Sequence, residues 1–149
     1  MKVLVKRLPG PDGTLPKLPY YATEGSAGMD LSANIKEPIL LKKGCMTTVP
    51  TGIAIALPDA ESVAYIYARS GLGVRHGICL SNGVGVIDSD YRGEISVGLI
   101  NLGPEDYTIS PGERIAQMVF APVIRAELSE AEELPDSKRG AGGFGSTGR

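Results

Sequence analysis

Short runs in which every second residue is apolar recur along this chain. Two of them, G-I-A-I-A-L at 52–57 and E-I-S-V-G-L-I-N at 94–101, alternate apolar residues with small or polar ones. A period of two is the pattern of a β-strand that buries one face. Similar apolar runs predict further strands in K-V-L-V-K-R-L at 2–8, P-I-L-L at 38–41, V-A-Y-I-Y-A at 63–68, G-I-C-L at 77–80 and R-I-A-Q-M-V-F at 114–120.

Turn-forming residues separate these runs. Twenty glycines and eleven prolines break the chain into short pieces. Only S-E-A-E-E-L at 129–134 has a helical signature, because Ser129 and Glu132 stand at capping-box spacing. Many short strands with turns between them are typical of an all-β sandwich, jelly roll or barrel, and the length of 149 residues suits one such domain.

The last twelve residues, 138–149, have a different composition. They read K-R-G-A-G-G-F-G-S-T-G-R, and five of the twelve are glycine. Glycine loses more conformational freedom on ordering than any other residue, so this tail is predicted to be flexible when nothing holds it. The tail carries Phe144, one of two phenylalanines in the chain. A large aromatic side chain on a flexible tail suggests that it packs against another group when the tail is held. The sequence predicts a β domain over 1–137 and a tail over 138–149.

Charge and cysteine content narrow the class of protein. The formal net charge is −2, and no basic stripe marks a nucleic-acid-binding face. No apolar run has the length of a membrane span or of a signal peptide, so we expect a cytoplasmic protein that binds neither nucleic acid nor membrane. Cys45 and Cys79 stand far apart, and His76 is the single histidine. This predicts two buried free thiols rather than a zinc site.

Several nucleotide-binding signatures are absent. G-L-G-V-R-H-G at 71–77 places its third glycine one residue late for a dinucleotide fingerprint, and G-V-G-V-I-D at 83–88 has an aspartate there. The chain contains no G-K-[ST] of a P-loop. It also lacks the H-x-E and P-C-x-x-C motifs of the zinc deaminases.

The segment A-R-S-G-L-G at 68–73 is open to two interpretations. Arg69, the Ser70 hydroxyl and the backbone N–H groups near Gly71 together offer donors suited to a phosphate. The same residues are equally good turn formers at the end of a strand. On its own the segment favours the turn.

The segment S-N-G-V-G-V-I-D-S-D-Y-R-G-E at 81–94 also has two interpretations. Gly83 and Gly85 would let a ligand approach the backbone, and the Asp88 carboxylate could activate a water molecule. Alternatively, Asn82 with Gly83 forms a tight turn and D-S-D-Y-R-G forms another, with Tyr91 as a half-buried strand aromatic. Turns are commoner than active sites, so on its own this segment too favours the turns.

Five short segments, taken together and in order, indicate a protein family. They are A-G-M-D-L-S-A at 27–33, A-R-S-G-L-G at 68–73, N-G-V-G-V-I-D-S-D-Y-R-G at 82–93, P-G-E-R-I-A-Q-M-V-F at 111–120 and R-G-A-G-G-F-G-S-T-G at 139–148. In this order they closely resemble the signature segments of the trimeric dUTPase family. The resemblance extends over residues 20–148, and its specificity comes from five unrelated patterns coinciding.

The resemblance implies a fold, an assembly and a reaction. The fold would be a jelly-roll β-sandwich or barrel, assembled as a homotrimer with three active sites at subunit boundaries. The enzyme would hydrolyse dUTP to dUMP and pyrophosphate, which limits uracil in DNA and supplies dUMP for thymidylate synthesis. Magnesium would be held by the substrate phosphates and by water, with no direct protein ligand.

The resemblance also implies roles for particular residues. Asp88 would be the general base that orients water for in-line attack on the α-phosphorus, with Asp30 supporting the site. Tyr91 would lie against the sugar and exclude a ribose 2′-hydroxyl. The remaining substrate contacts would come from Arg69, Ser70, Gly71 and Gln117 near the phosphates; Asn82, Gly85, Val86, Ile87 and Ser96 around the uracil; and Arg139, Phe144, Gly145, Ser146 and Thr147 in a tail that closes over a neighbouring subunit's site.

Two other functions compete with this one. A dCTP deaminase would share the fold by resemblance, but R-S-S-x-A-R would be expected where this chain has R-S-G-L-G, and no glycine-rich tail would be needed. The other is a non-catalytic trimer that binds nucleotide as a signal. Asp88 and the tail are both present in the chain, which favours the enzyme.

Overall fold

The computed structural model describes residues 1–143, and this part of the chain is almost entirely β. It contains one short helix. In chain order the elements are β1 (Leu4–Arg7), β2 (Met29–Ser32), β3 (Ile39–Leu41), β4 (Met46–Pro50), β5 (Ile53–Ala56), β6 (Ser62–Ala68), α1 (Ser70–His76), β7 (Ile78–Leu80), β8 (Gly85–Ile87), β9 (Ser96–Asn101), β10 (Tyr107–Ile109) and β11 (Arg114–Pro122).

These strands form a sandwich of small antiparallel sheets. The largest has the order β2-β11-β6-β8, and a second has the order β4-β9-β7. Two further pairs, β1-β5 and β10-β3, complete the structure. Inward-facing side chains from these sheets form one buried apolar cluster that includes Leu31, Leu41, Val49, Ile53, Ile66, Ile78, Val97, Leu99, Ile109, Ile115 and Met118. The all-β jelly-roll prediction is confirmed.

All seven strands predicted from apolar runs are present, as β1, β3, β5, β6, β7, β9 and β11. Four strands were missed: β2, β4, β8 and β10. Each is short or lacks an apolar alternation, as in M-T-T-V-P at Met46–Pro50 and G-V-I at Gly85–Ile87. Their pairing with distant strands, rather than local pattern, makes them β.

The predicted helix at 129–134 is wrong. This segment is exposed and has no helical structure, with Leu134 at 86% exposure. A short helix that buries no apolar face gains too little to form, whatever its capping residues. The helix lies instead at Ser70–His76, and it ends where Gly77 adopts a left-handed φ of 70° and donates to the Gly73 carbonyl.

The two cysteines are free, as predicted, but neither of them is buried as expected. Cys45 is exposed and Cys79 is intermediate. Cys45 lies in the turn before β4, where its backbone N–H donates to the Lys42 carbonyl and its carbonyl accepts from the Asn101 N–H. The backbone is thus fixed by the turn, which leaves the thiol facing outwards.

Candidate functional site

One carboxylate holds two arginines together at one end of the large sheet. Asp30 on β2 accepts a 2.8 Å hydrogen bond from Arg69 Nε and a 2.9 Å bond from Arg114 Nη1. The Arg69 Nη1 also donates to the Arg114 carbonyl at 3.2 Å. The Asp30 side chain is only 16% exposed, so both ion pairs are partly shielded from water. Asp30 thus fixes the Arg69 guanidinium just after β6 ends.

Gln117 lies beside this ion-paired group. In the ladder it is opposite Asp30 on one side and Tyr67 on the other. Its side-chain amide donates to the Ala68 carbonyl at 3.0 Å. A Cβ at Gly28 would lie 2.9 Å from Gln117 Oε1, so the absence of a side chain there gives the amide its room. We define the basic end as the set Asp30, Arg69, Ser70, Gly71, Arg114 and Gln117.

The turn that carries Arg114 is fixed by its neighbour Glu113. The Glu113 carboxylate accepts from the Tyr107 hydroxyl and, at 2.9 Å, from the Ser110 backbone N–H. Burial, followed by the hydrogen bond to Glu113, raises the pKa of Tyr107 to about 12. The phenol therefore stays protonated at neutral pH and continues to donate. The His76 ring packs against Tyr107 with centroids 4.9 Å apart.

A compact loop, residues 88–95, carries Asp88 and Tyr91. The Tyr91 N–H donates to the Asp88 carbonyl at 3.2 Å, and the Arg92 guanidinium donates to the carbonyls of Ser89 and Tyr91. The Tyr91 hydroxyl reaches back to the Glu94 carbonyl at 3.0 Å. Asp88 is itself exposed, so its carboxylate is accessible to a ligand.

The strands on either side of this loop do not pair with each other. β8 pairs with β6, whereas β9 pairs with β4 and β7. The two strands expected to surround the uracil, β8 and β9, therefore form two separate walls of a cleft. The turns expected within 81–94 do not join the two strands of a hairpin. A cleft of about 270 Å³ between the walls is lined by Val86, Ile87, Asp88, Tyr91, Glu94, Ile95 and Ser96. A second, of about 120 Å³, is lined by Ile66, Leu80, Asn82, Gly85, Val86, Ile87, Ser96, Val97 and Gly98.

The structure brings the predicted uracil and sugar contacts together. Asn82, Gly85, Val86, Ile87 and Ser96 share the smaller cleft, and three of these five also line the larger one with Asp88 and Tyr91. A wall of backbone from a glycine and short side chains suits a flat, hydrogen-bonding ligand. We define the cleft end as the two clefts together with loop 88–95.

Asp88 and Arg69 do not meet within one chain. β6 and β8 are antiparallel, with Ala64 opposite Ile87 and Ile66 opposite Gly85. Asp88 thus follows the end of β8 near Val63, whereas Arg69 lies at the other end of β6. Six residues of strand separate them, roughly 20 Å at about 3.3 Å per residue. The cleft end and the basic end are therefore apart.

Of the predicted tail, the structure describes residues 138–143. Arg139 is described: its Nε donates to the Gly142 carbonyl at 2.7 Å, within the tail itself. Phe144, Gly145, Ser146 and Thr147 lie outside the described residues. Within residues 1–143, no three His, Cys, Asp or Glu side chains cluster closely enough to hold a metal ion.

Sequence comparison identifies the family of this chain. The dUTPase family model matches residues 16–148, nearly the full length. The chain belongs to the dUTPase family. A deoxyuridine 5′-triphosphate nucleotidohydrolase of Desulfitobacterium hafniense is 53% identical over 89% of this chain and 88% of that protein. The enzyme of the same name from Hahella chejuensis is 54% identical over 99% and 95% of the two chains.

Solved dUTPase structures have the same fold. The Staphylococcus bacteriophage 80alpha dUTPase with dUpNHpp is 25% identical, with a TM-score of 0.85 over 99% of both chains. A mutant dUTPase from phage phi11 of S. aureus, 20% identical, has a TM-score of 0.77 over 89% of this chain and 98% of that one. The phi11 structure reveals the coordination of a structural Mg(II) ion in that protein.

Sequence reasoning assigned no role to two residues of this dUTPase that the structure places at the site. Arg114 shares Asp30 with Arg69, and Glu94 lines the larger cleft and accepts a hydrogen bond from Gly52. Two signals for Arg114 were present in the sequence: it lies in the signature segment 111–120, and it is one of five arginines in a lysine-free stretch, residues 45–136. No helix in residues 1–143 has the length and apolar character needed to cross a membrane.

Proposed function

We propose that this chain hydrolyses dUTP to dUMP and pyrophosphate at sites shared between subunits. The observation that carries this proposal is the division of the predicted site into a cleft end and a basic end, roughly 20 Å apart along antiparallel β6 and β8. A nucleoside triphosphate needs a base pocket and phosphate donors close together. The cleft end of one subunit and the basic end of its neighbour supply both.

The cleft end selects the base and the sugar. Backbone groups at Gly85 to Ile87 and near Ser96, with the Asn82 amide, pair with uracil, and the close walls leave no room for a thymine methyl. Cytosine is rejected because its donors and acceptors do not match. Tyr91 packs on the deoxyribose and blocks the 2′ position.

The basic end binds the phosphates. Asp30 holds Arg69 in place, and the Ser70 hydroxyl and Gly71 N–H stand at the first turn of α1, where helix N–H groups lack intrahelical acceptors. Gln117, held at the Ala68 carbonyl, helps to place the α-phosphate or the attacking water. These groups position the triphosphate and neutralise its charge, which is most of what phosphoryl transfer requires.

Asp88 acts as the general base. Its carboxylate accepts a proton from a water molecule whose oxygen attacks the α-phosphorus in line. The bond from that phosphorus to the bridging oxygen breaks, and pyrophosphate leaves with the electron pair. The exposed position of Asp88 in loop 88–95 is accessible to such a water molecule.

Magnesium would bind at this site together with the substrate. In the basic end the one carboxylate, Asp30, is already occupied by two arginines, so phosphate oxygens and water are the better ligands for the ion. Mg²⁺ commonly binds in this way, and it would neutralise charge on the triphosphate.

Exposed apolar side chains favour self-association, and the assembly we propose is the homotrimer implied by the resemblance. Tyr67 is exposed on β6 of the large sheet, and Ile124 and Leu128 beyond β11 are 95% and 93% exposed. A second copy of the chain would cover these surfaces and bring the two ends of the site together. Residues 138–149 would then act as a tail that reaches a neighbouring site, with Arg139, Ser146 and Thr147 near the phosphates, Phe144 on the uracil and Gly145 beside it.

The reaction is tested by incubating the protein with dUTP or dCTP in the presence of Mg²⁺. Pyrophosphate and dUMP from dUTP, with neither pyrophosphate nor ammonia from dCTP, is the expected result. Ammonia from dCTP would identify a deaminase instead. Tight dUTP binding without any product would identify a nucleotide sensor and overturn the proposed hydrolysis.

Replacement of Tyr91 by alanine should relax sugar selection. Removing the ring opens space at the 2′ position, so the ratio of kcat/KM for UTP to that for dUTP should rise by about tenfold or more, the scale of a lost steric contact in a pocket. Steady-state kinetics with both nucleotides measure this ratio. An unchanged ratio would place sugar discrimination elsewhere in the cleft.

A further inference from the structure

Three hydrogen bonds fasten the end of loop 88–95 to the turn between β4 and β5 and to the first residue of β5. The Gly52 N–H donates to Glu94 Oε1 at 2.6 Å, and the Thr51 hydroxyl donates to the Ile95 carbonyl at 2.6 Å. The Ile95 N–H completes the set by donating to the Ile53 carbonyl at 2.8 Å. Of the three, only the bond to Glu94 uses a side chain of the loop.

The turn that receives Glu94 cannot easily shift. Gly52 has a left-handed φ of 67°, and a Cβ at this position would collide with the Asn34 side chain and lie 2.9 Å from the Leu8 carbonyl oxygen. No side chain fits at this position, and the Gly52 carbonyl also accepts from the Leu8 N–H at 2.8 Å, so the turn is held by its neighbours. Glu94 thus binds to a rigid part of the molecule.

Tyr91 in turn depends on Glu94. Its hydroxyl donates to the Glu94 backbone carbonyl at 3.0 Å. The ring folds back over Gly93, where any Cβ would collide with it. The ring position is thus set by where the 93–94 backbone lies, and that backbone is tied to Gly52 through the Glu94 carboxylate.

We propose that Glu94 is a positioning residue for sugar selection, which acts through Tyr91. Given the proposed function, in which Tyr91 blocks the 2′ position, the Glu94 carboxylate determines how closely the ring approaches the sugar. The Gly52 N–H needs an oxygen acceptor at the reach of this side chain, at 2.6 Å in the structure. Half-burial of Glu94 between loop and turn limits competition from water.

The test compares Glu94→Ala, Glu94→Gln and Glu94→Asp with the wild type. Alanine removes the acceptor, glutamine retains a side-chain oxygen at the same reach, and aspartate keeps the charge but is one methylene shorter. We expect the UTP to dUTP ratio of kcat/KM to rise roughly tenfold in the alanine variant, the scale of one lost charge-assisted bond. The ratio should rise in the aspartate variant too, and stay within about threefold of wild type with glutamine. The change should appear mainly in KM.

A second measurement does not depend on turnover. Fluorotyrosine at position 91 reports the ring environment by ¹⁹F NMR, and its signal should move in the alanine and aspartate variants and stay near wild type with glutamine. Glu37→Ala is the matched control, because Glu37 is exposed and enters none of the hydrogen bonds or ion pairs seen among residues 1–143. It should change neither the ratio nor the spectrum.

The outcomes separate this inference from the proposed function. A wild-type protein without dUTP hydrolysis would overturn the function, whatever the spectra show. Normal dUTP hydrolysis with an unchanged ratio and unchanged ¹⁹F signal in Glu94→Asp would overturn the role of Glu94 alone. If the alanine variant does not fold, the contrast between aspartate and glutamine still decides the matter.

Discussion

Replacing Asp88 with asparagine is expected to lower kcat for dUTP by about 10² to 10⁴, the usual contribution of a positioned general base. Asparagine has nearly the same shape but cannot take a proton from water. The fold should be unaffected, because Asp88 is exposed and follows β8 in loop 88–95. Steady-state kinetics give kcat, and equilibrium binding of dUpNHpp shows whether the nucleotide still binds.

Asp136→Asn is the matched control. Asp136 is exposed outside the cleft end and enters none of the hydrogen bonds or ion pairs seen among residues 1–143, so its replacement makes the same change in charge without removing the proposed base. It should retain kcat within about threefold, the range of ordinary surface substitutions. If Asp88→Asn turns over dUTP at a near-normal rate, Asp88 is not the base.

Two inactive proteins are expected to restore each other's activity when they share a trimer. One is truncated after Ser137 and lacks the tail, and the other is full-length Asp88→Asn. If the tail serves a neighbouring subunit's site, some sites in mixed trimers combine an intact Asp88 from the truncated chain with an intact tail from the mutant chain. Co-refolding the two and assaying dUTP hydrolysis should give activity well above either parent.

In the control for this experiment, the truncated chain also carries Asp88→Asn. Mixing full-length Asp88→Asn with a truncated Asp88→Asn leaves no intact Asp88, so its activity should remain at the level of the parents. Native mass spectrometry establishes that mixed trimers have formed. Mixed trimers that stay inactive would show that the tail acts within its own chain or has no role.

The sequence predicted the fold wherever a strand carries its own pattern. G-I-A-I-A-L and E-I-S-V-G-L-I-N alternate clearly, and both contain strands, at Ile53–Ala56 and Ser96–Asn101. β8 has only three residues, so its character comes from pairing with β6 and not from its own composition. The helix at Ser70–His76 was missed because two interior glycines, at 71 and 73, are poor helix formers.

The candidate site was predictable as a set of residues but not as an arrangement. The segments around Arg69 and Asp88 stand near each other in the sequence and suggest a single site. Only the register of β6 against β8 shows that they lie at opposite ends of those strands. The bond between Gly52 and Glu94 joins positions 42 residues apart. Contacts of that kind depend on how the sheets pack, which no local pattern encodes.

The charge of the group formed by Asp30, Arg69 and Arg114 affects how substrate first approaches the protein. Two guanidiniums, Arg69 and Arg114, are balanced by one carboxylate, so this patch has a surplus positive charge on a protein whose formal net charge is −2. A polyanion is repelled by the molecule as a whole yet attracted to this spot, and attraction of this kind weakens as ionic strength rises. The encounter rate with a triphosphate should therefore fall as salt rises, which is the opposite of what the net charge alone suggests.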